Sequence, residues 1–225
     1  MKRIMTGLLV TMLALPLAAQ APGLPVVNAG VASGVKFGTM VGRGNDGAGS
    51  GTTVAVSGSV GSRRGAVGGY LARMAGSSWS DDPITAPGVV GSYRLAGGPL
   101  VPVAINLQAG AGRYSTPIGL GGERVSVWQV PVGVGIAWTI PQPAVAIRPW
   151  IAPRIQYSRQ SLPGTVLAAR AESVTTTDVA FGLSGGVAFG LLNGVGIDLA
   201  VDRVFDDRLT SKPTTVGVGV SLNLK

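Results

Sequence analysis

From Trp128 to Trp138 every even position is bulky and apolar: Trp128, Val130, Val132, Val134, Ile136 and Trp138. The positions between them are Gln129, Pro131, Gly133, Gly135 and Ala137. A period of two predicts an extended strand whose side chains alternate between two faces. The pattern repeats along the chain and predicts about ten strands, at roughly 31–43, 52–61, 66–75, 89–96, 101–113, 128–138, 147–157, 175–191, 195–204 and 214–224. Most are Gly-rich, with one apolar face and one small or polar face. Repeated over so many strands, this predicts an apolar outside in lipid and a polar, small-residue inside. Pro149 and Pro153 lie within the seventh strand and predict a bulge or distortion there, because proline donates no ladder hydrogen bond.

The connections alternate in length. Long ones are predicted at 44–51, 76–88, 115–124, 158–173 and 205–213; between them lie short turns near Ser62, Gly97, Gln142 and Asn193-Gly194. The predicted fold class is all-β: an antiparallel up-and-down transmembrane β-barrel of about ten strands (eight as the alternative), with short periplasmic turns and longer extracellular loops. An even meander closes by pairing its first strand with its last, which leaves no edge unpaired in lipid. Trp128 and Trp138 share a parity and lie about 25 Å apart in height, matching an apolar band. Phe181 and Phe189 bracket the eighth strand in the same way, so these four are the predicted lipid-facing aromatics.

The opposite parity carries Lys36, Arg148, Arg154, Asp178, Asp198 and Asp202, with Arg94 beside them on a weakly patterned strand. Charges of both signs in mid-strand are costly in lipid and predict a lumenal charge network. Val132 is expected to face lipid and to reject a charge. Gly133 is expected to face inward and to accept a serine.

The first residues read as a signal peptide. Lys2 and Arg3 precede an apolar run to Leu17, and Ala19-Gln20-Ala21 forms a cleavage site, with a cut after Ala19 as the alternative because Pro22 is an awkward first residue. The predicted organisation is residues 1–21 signal peptide and 22–225 barrel domain, with 22–30 a periplasmic lead-in. With that exception there is no run of about 18 apolar residues, so no spanning helix is expected.

Composition sharpens this picture. The 225 residues have 46% hydrophobic and 12% charged content, mean hydropathy +0.40 and no cysteine, so packing and hydrogen bonds must hold the fold. The formal net charge is +8, with the basic residues scattered. That argues against nucleic acid and for an anionic membrane surface. There is no histidine, which removes Ser-His-Asp and Cys-His machinery and His-containing zinc sites. The carboxylate pairs Asp81-Asp82 and Asp206-Asp207 fall in predicted outer loops and read as solvated loop charge. No cofactor or metal is expected.

The stretches VPVGVGIAW, RPWIAPRIQY and FGLSGGVAFGLLNGVGIDLAVD and the final strand TTVGVGVSLNLK make the whole mature chain resemble the small outer-membrane β-barrel proteins, the OmpA-like and OmpX-like group. Two departures stand out: ten strands are counted where many members have eight, and the chain ends Leu224-Lys225 rather than in an aromatic residue. The resemblance implies a bacterial outer-membrane address. It also implies contact with outer-membrane lipids and lipopolysaccharide, and insertion by the barrel-assembly machinery. Enzymes of the group generally use an active-site histidine, so the resemblance does not carry their activity here. The expected function is a non-enzymatic barrel with a largely filled lumen, contributing to envelope integrity or to surface interaction through its outer loops. The alternatives are a narrow pore for small solutes and a secreted soluble β-sandwich that binds a ligand; the extracellular partner is not named by the sequence.

Overall fold

The computed structural model describes residues 21–78, 80–98, 101–118, 123–162, 174–191, 193–206 and 212–224. Within them lie ten long strands: β1 (Gly34–Gly44), β2 (Thr52–Gly61), β3 (Gly65–Ala75), β4 (Ile84–Gly98), β5 (Val101–Ile118), β6 (Glu123–Trp138), β7 (Val145–Leu162), β8 (Val174–Leu191), β9 (Val195–Phe205) and β10 (Thr214–Leu224). A two-residue segment, Ile140–Pro141, pairs onto the start of β7. Every strand pairs antiparallel with its neighbours in sequence, and β1 closes the sheet against β10 from Val35↔Leu224 to Gly44↔Thr215. The sheet is therefore a closed barrel and not a two-layer sandwich. Closure leaves no edge strand, the one arrangement by which a sheet satisfies its backbone in a bilayer.

The parity read from the sequence governs which face each residue takes. Val54, Val56 and Val60 on β2, Val132 and Ile136 on β6, and Val216, Val218, Val220 and Leu222 on β10 are all exposed on the outer wall. Gly42, Ala55, Ala72, Gly135 and Ala200 between such positions are buried. The described residues contain no helix long and apolar enough to cross a membrane; the strands are what cross. Val132→Arg is expected to cost about 2–4 kcal/mol near the bilayer midplane. Denaturant titration of protein folded into lipid vesicles measures it, and a variant as stable as the parent would overturn the outward assignment. Gly133 corrects its own expectation. A Cβ there would lie 2.6 Å from Arg154 Cβ and 2.7 Å from Pro153 O, so Gly133→Ser has no room, because the neighbouring strand already fills the space.

Several strands are longer than the alternation indicates. β5, β7 and β8 have 18 residues each, rising roughly 45 Å at a tilt near 40°, well beyond a 25 Å apolar band. Most of the expected loop at 115–124 and the start of that at 158–173 are strand; residues 119–122 and 163–173 lie outside the described residues. Beyond the bilayer both faces turn polar, as in Thr175 to Thr177, so no period marks the strand.

The predicted bulge at Pro149 and Pro153 is absent on one side. β7 pairs with β8 without a register shift from Val145↔Leu191 to Leu162↔Val174. Toward β6 the ladder skips between Gly133↔Arg154 and Ile136↔Ile151, opposite Pro153, and keeps its register. Proline removes a donor without displacing the strand. The register shift lies instead between β4 and β5, at Arg94, Ala96 and Gly98. There Gly97 takes φ +91°, and a Cβ would meet the Val103 carbonyl.

Candidate functional site: the lumen and its occupants

The lumen is built by the inward parity of all ten strands. Its strongest charge contact spans three of them. Arg154 on β7 faces Gly182 on β8, and Asp202 on β9 faces Ser184 on β8. The guanidinium lies over Gly182, where a Cβ would lie 2.5 Å from Arg154 Cζ, so the absent side chain makes the floor. From there Arg154 forms a two-pronged pair with Asp202: Nη2 donates to Oδ2 at 2.8 Å, and Nη1 contacts Oδ1. Nη1 also donates to Ser184 Oγ at 3.0 Å and Nη2 to Gln156 Oε1 at 3.3 Å. The two charged side chains are 2% and 1% exposed. Such a planar fork is what arginine offers and lysine does not.

A second, wetter group sits nearer the short-turn rim. Lys36 on β1 approaches Asp198 on β9 at 4.0 Å. Arg148 has Asp198 and Arg94 as its charged neighbours and donates from Nε to Thr139 Oγ1 at 3.1 Å. Asp178 lies toward the opposite rim and accepts from the Val179 amide at 2.7 Å. The seven charged positions thus form a tight outer pair, a looser inner group, and Asp178 near the rim. Of the aromatics, Trp128, Trp138 and Phe181 are exposed on the wall, and Phe189 is half-buried there.

The main occupant of the lumen left no mark in the hydrophobic pattern. Residues 22–30, read as a periplasmic lead-in, run through the lumen instead, together with the flanking residues 21 and 31–33. Ala21 and Leu24 pack with Ala55, Met74 and Tyr114, and Thr53 Oγ1 donates to the Pro22 carbonyl at 2.7 Å. Farther on, Gln108 Nε2 donates to the Val27 carbonyl at 3.1 Å, and Val27 and Ala29 pack against Ala137 and Trp150. Glycines of the wall make the track. A Cβ on Gly42 would lie 2.5 Å from the Gly23 carbonyl, one on Gly217 2.8 Å from Pro25, and one on Gly135 would strike Asn28. The inward glycines read from the sequence as small lumenal residues are the seat of this segment. Tyr70, Tyr114 and Trp150 were also missed. Trp150 shares the even parity of Arg148 and Arg154, and that parity was the available signal.

Among the described residues, two sizeable cavities lie beside the segment. The outer one, about 440 Å³, is lined by Asp178, Asp202 and Asp206 among others; the inner one, about 260 Å³, by Lys36, Asp198 and Tyr70 among others. Among the described residues no three His, Cys, Asp or Glu side chains are grouped to hold a metal; Asp207 lies outside them.

No protein-family model and no curated protein sequence matches the chain. Solved structures do. The β domain of the Bordetella autotransporter BrkA is similar at TM-score 0.50 and 15% identity, over 86% of this chain and 100% of that one. Ail, the attachment invasion locus protein of Yersinia pestis, is similar at 0.41 and 12%, over 85% and 99%. The outer membrane enzyme PagL is similar at 0.40 and 9%, over 84% and 99%. Identities this low speak to fold alone. They nevertheless correct one expectation: enzymes are among the barrels matched, so the barrel architecture does not make this chain a non-enzyme. Closed, antiparallel, apolar outside and polar within, the chain is a ten-stranded transmembrane β-barrel of the bacterial outer-membrane type.

Proposed function

We propose that this protein is a closed outer-membrane barrel that contributes to the envelope and to surface contact through its outer end, and not an open channel. The carrying observation is the lumen. Segment 22–33 occupies it along its length, and Arg154–Asp202 fastens one wall beside it. Residues 1–21 act as the signal peptide, and the barrel-assembly machinery inserts the strands.

The outer end is suited to anionic lipid. Arg43, Arg73, Arg113, Arg124, Arg159 and Arg203 are all exposed on the outward parity. Each stands at the long-loop end of its strand, the end that faces outside in barrels of this kind. Of the other described arginines, Arg63 and Arg64 lie in a short turn and Arg94, Arg148 and Arg154 point inward. Trp128 pairs with Arg113 on one side and Arg159 on the other, and Arg113 Cζ lies 5.6 Å from the Trp128 ring. Arginine forks match phosphate oxygens, which fits this belt to the phosphates of lipopolysaccharide. The loop after β1 is tied down for surface display. Asn45 caps its 3-10 turn, accepts from the Thr214 amide at 3.0 Å and donates to the Lys212 carbonyl at 3.0 Å.

The two residual cavities favour the narrow pore as a second reading. Planar-bilayer recording separates the two: the proposed function expects the purified protein to conduct weakly or not at all. Steady open conductance on the scale of a general porin would overturn it and establish the pore.

A further inference from the structure

The lumenal segment has a direction. Its first residues stand at the long-loop end: Pro22 and Gly23 line the outer cavity with Asp178 and Asp206, and Gly23 lies over Gly42 near the end of β1. Its last residues stand at the short-turn end. The Gly30 position abuts Arg148 at the start of β7, and the Ala32 carbonyl abuts Gly61 at the end of β2. The chain then reverses into β1 at Gly34. Ala21 lines the inner cavity, the chain turns at Pro22-Gly23 beneath the outer mouth, where the Leu24 amide donates to the Ala21 carbonyl at 3.2 Å, and from that turn it descends to the periplasmic rim before the first strand begins. A lead-in from the periplasm would enter β1 directly and leave the lumen free.

We propose that the mature amino terminus is seated in the outer cavity and opens to the cell exterior, so that the barrel carries its own first residues outward through its lumen. This rests on the reading of residues 1–21 as a cleaved signal peptide. Cleavage after Ala21 makes Pro22 the first residue, and Pro22 already lines that cavity. The ionisable side chains that line it among the described residues are Asp178, Asp202, Asp206 and Tyr114; Asp202 is already paired with Arg154, so Asp178 and Asp206 are the carboxylates that bear on Pro22. A new α-ammonium there meets carboxylates in a partly enclosed site, where ion pairing is less screened than in bulk water. The ligand of the outer cavity is thus the chain's own terminal amine. Pro22, held by Thr53, anchors it.

Because the chain has no cysteine, crosslinks report the path without background. The pair Pro25→Cys with Gly217→Cys tests the outer half, and Asn28→Cys with Gly135→Cys the inner half. Both pairs should form disulfides in protein folded in cells, seen as a shift between oxidised and reduced gels. Failure of both in folded, heat-modifiable barrel would overturn the threading. A ten-residue polar epitope inserted between Ala21 and Pro22 then tests the exit. It should bind antibody on intact cells, whereas the same epitope after Lys225 should bind only in permeabilised cells. Epitope reached only after permeabilisation would overturn the outward exit. If the epitope blocks folding, the small insertion of one cysteine at that junction, probed with a membrane-impermeant thiol reagent on intact cells, decides by the same two outcomes. Intact mass of the purified parent gives the cleavage point separately. A barrel that retains residues 1–21 would sink the signal-peptide reading even where the crosslinks form.

Discussion

Asp202→Asn should be among the most damaging single substitutions in the lumen, lowering stability by about 3–5 kcal/mol. Asp202 is 1% exposed and gives both carboxylate oxygens to Arg154, itself 2% exposed. Removing the negative charge leaves a guanidinium that Gly182 and the track around it hold away from bulk water. An unpaired buried charge costs far more than a missing pair. The double variant Arg154→Met with Asp202→Leu should therefore recover most of the loss, although it removes more polar contacts. Guanidinium titration of the three proteins in the same vesicles gives the comparison. A double variant no better than the single would mean that Ser184 and Gln156, and not the charge pair, dominate this site. Lys36→Gln should cost much less, because its contact with Asp198 is long and its side chain is 38% exposed.

Deleting residues 22–29 should have the largest effect on permeability. The segment separates the outer cavity from the inner one and contributes the buried Leu24 and Asn28. Without it the inward glycines at Gly42, Gly135 and Gly217 line open space, and the two cavities join. Conductance in planar bilayers should rise from nearly silent to a steady open level. Stability should fall as well, by about 1.5–3 kcal/mol for the lost burial of Leu24 alone. A deletion variant that folds and stays silent would show that the strand-borne side chains by themselves close the barrel.

The wall was legible in the sequence because lipid imposes one rule on every crossing strand. Val132, Ile136, Val216 and Val218 had to be apolar, and the positions between them did not, so parity assigned the outer face before any contact was known. Strand order followed, since short turns such as Asn193-Gly194 leave antiparallel pairing as the only connection. The charged positions also followed, because an ion in mid-strand has to point inward. Strand length did not: above the bilayer β7 and β8 are polar on both faces, and the signal ends while the hydrogen-bond ladder continues to Leu162↔Val174.

Alternation along the chain thus sets a closed, inside-out barrel and the inward side of each lumenal charge. Which charges meet was decided only by tertiary structure. Arg154 reaches Asp202 because the register of three strands sets Gly182 and Ser184 between them, and register depends on pairing across the sheet. The path of residues 21–33 was decided there too. APGLPVVNAGVAS has no period that marks a strand or a helix. Its place exists only once ten strands have closed and their inward glycines, far apart in the chain, form one continuous track.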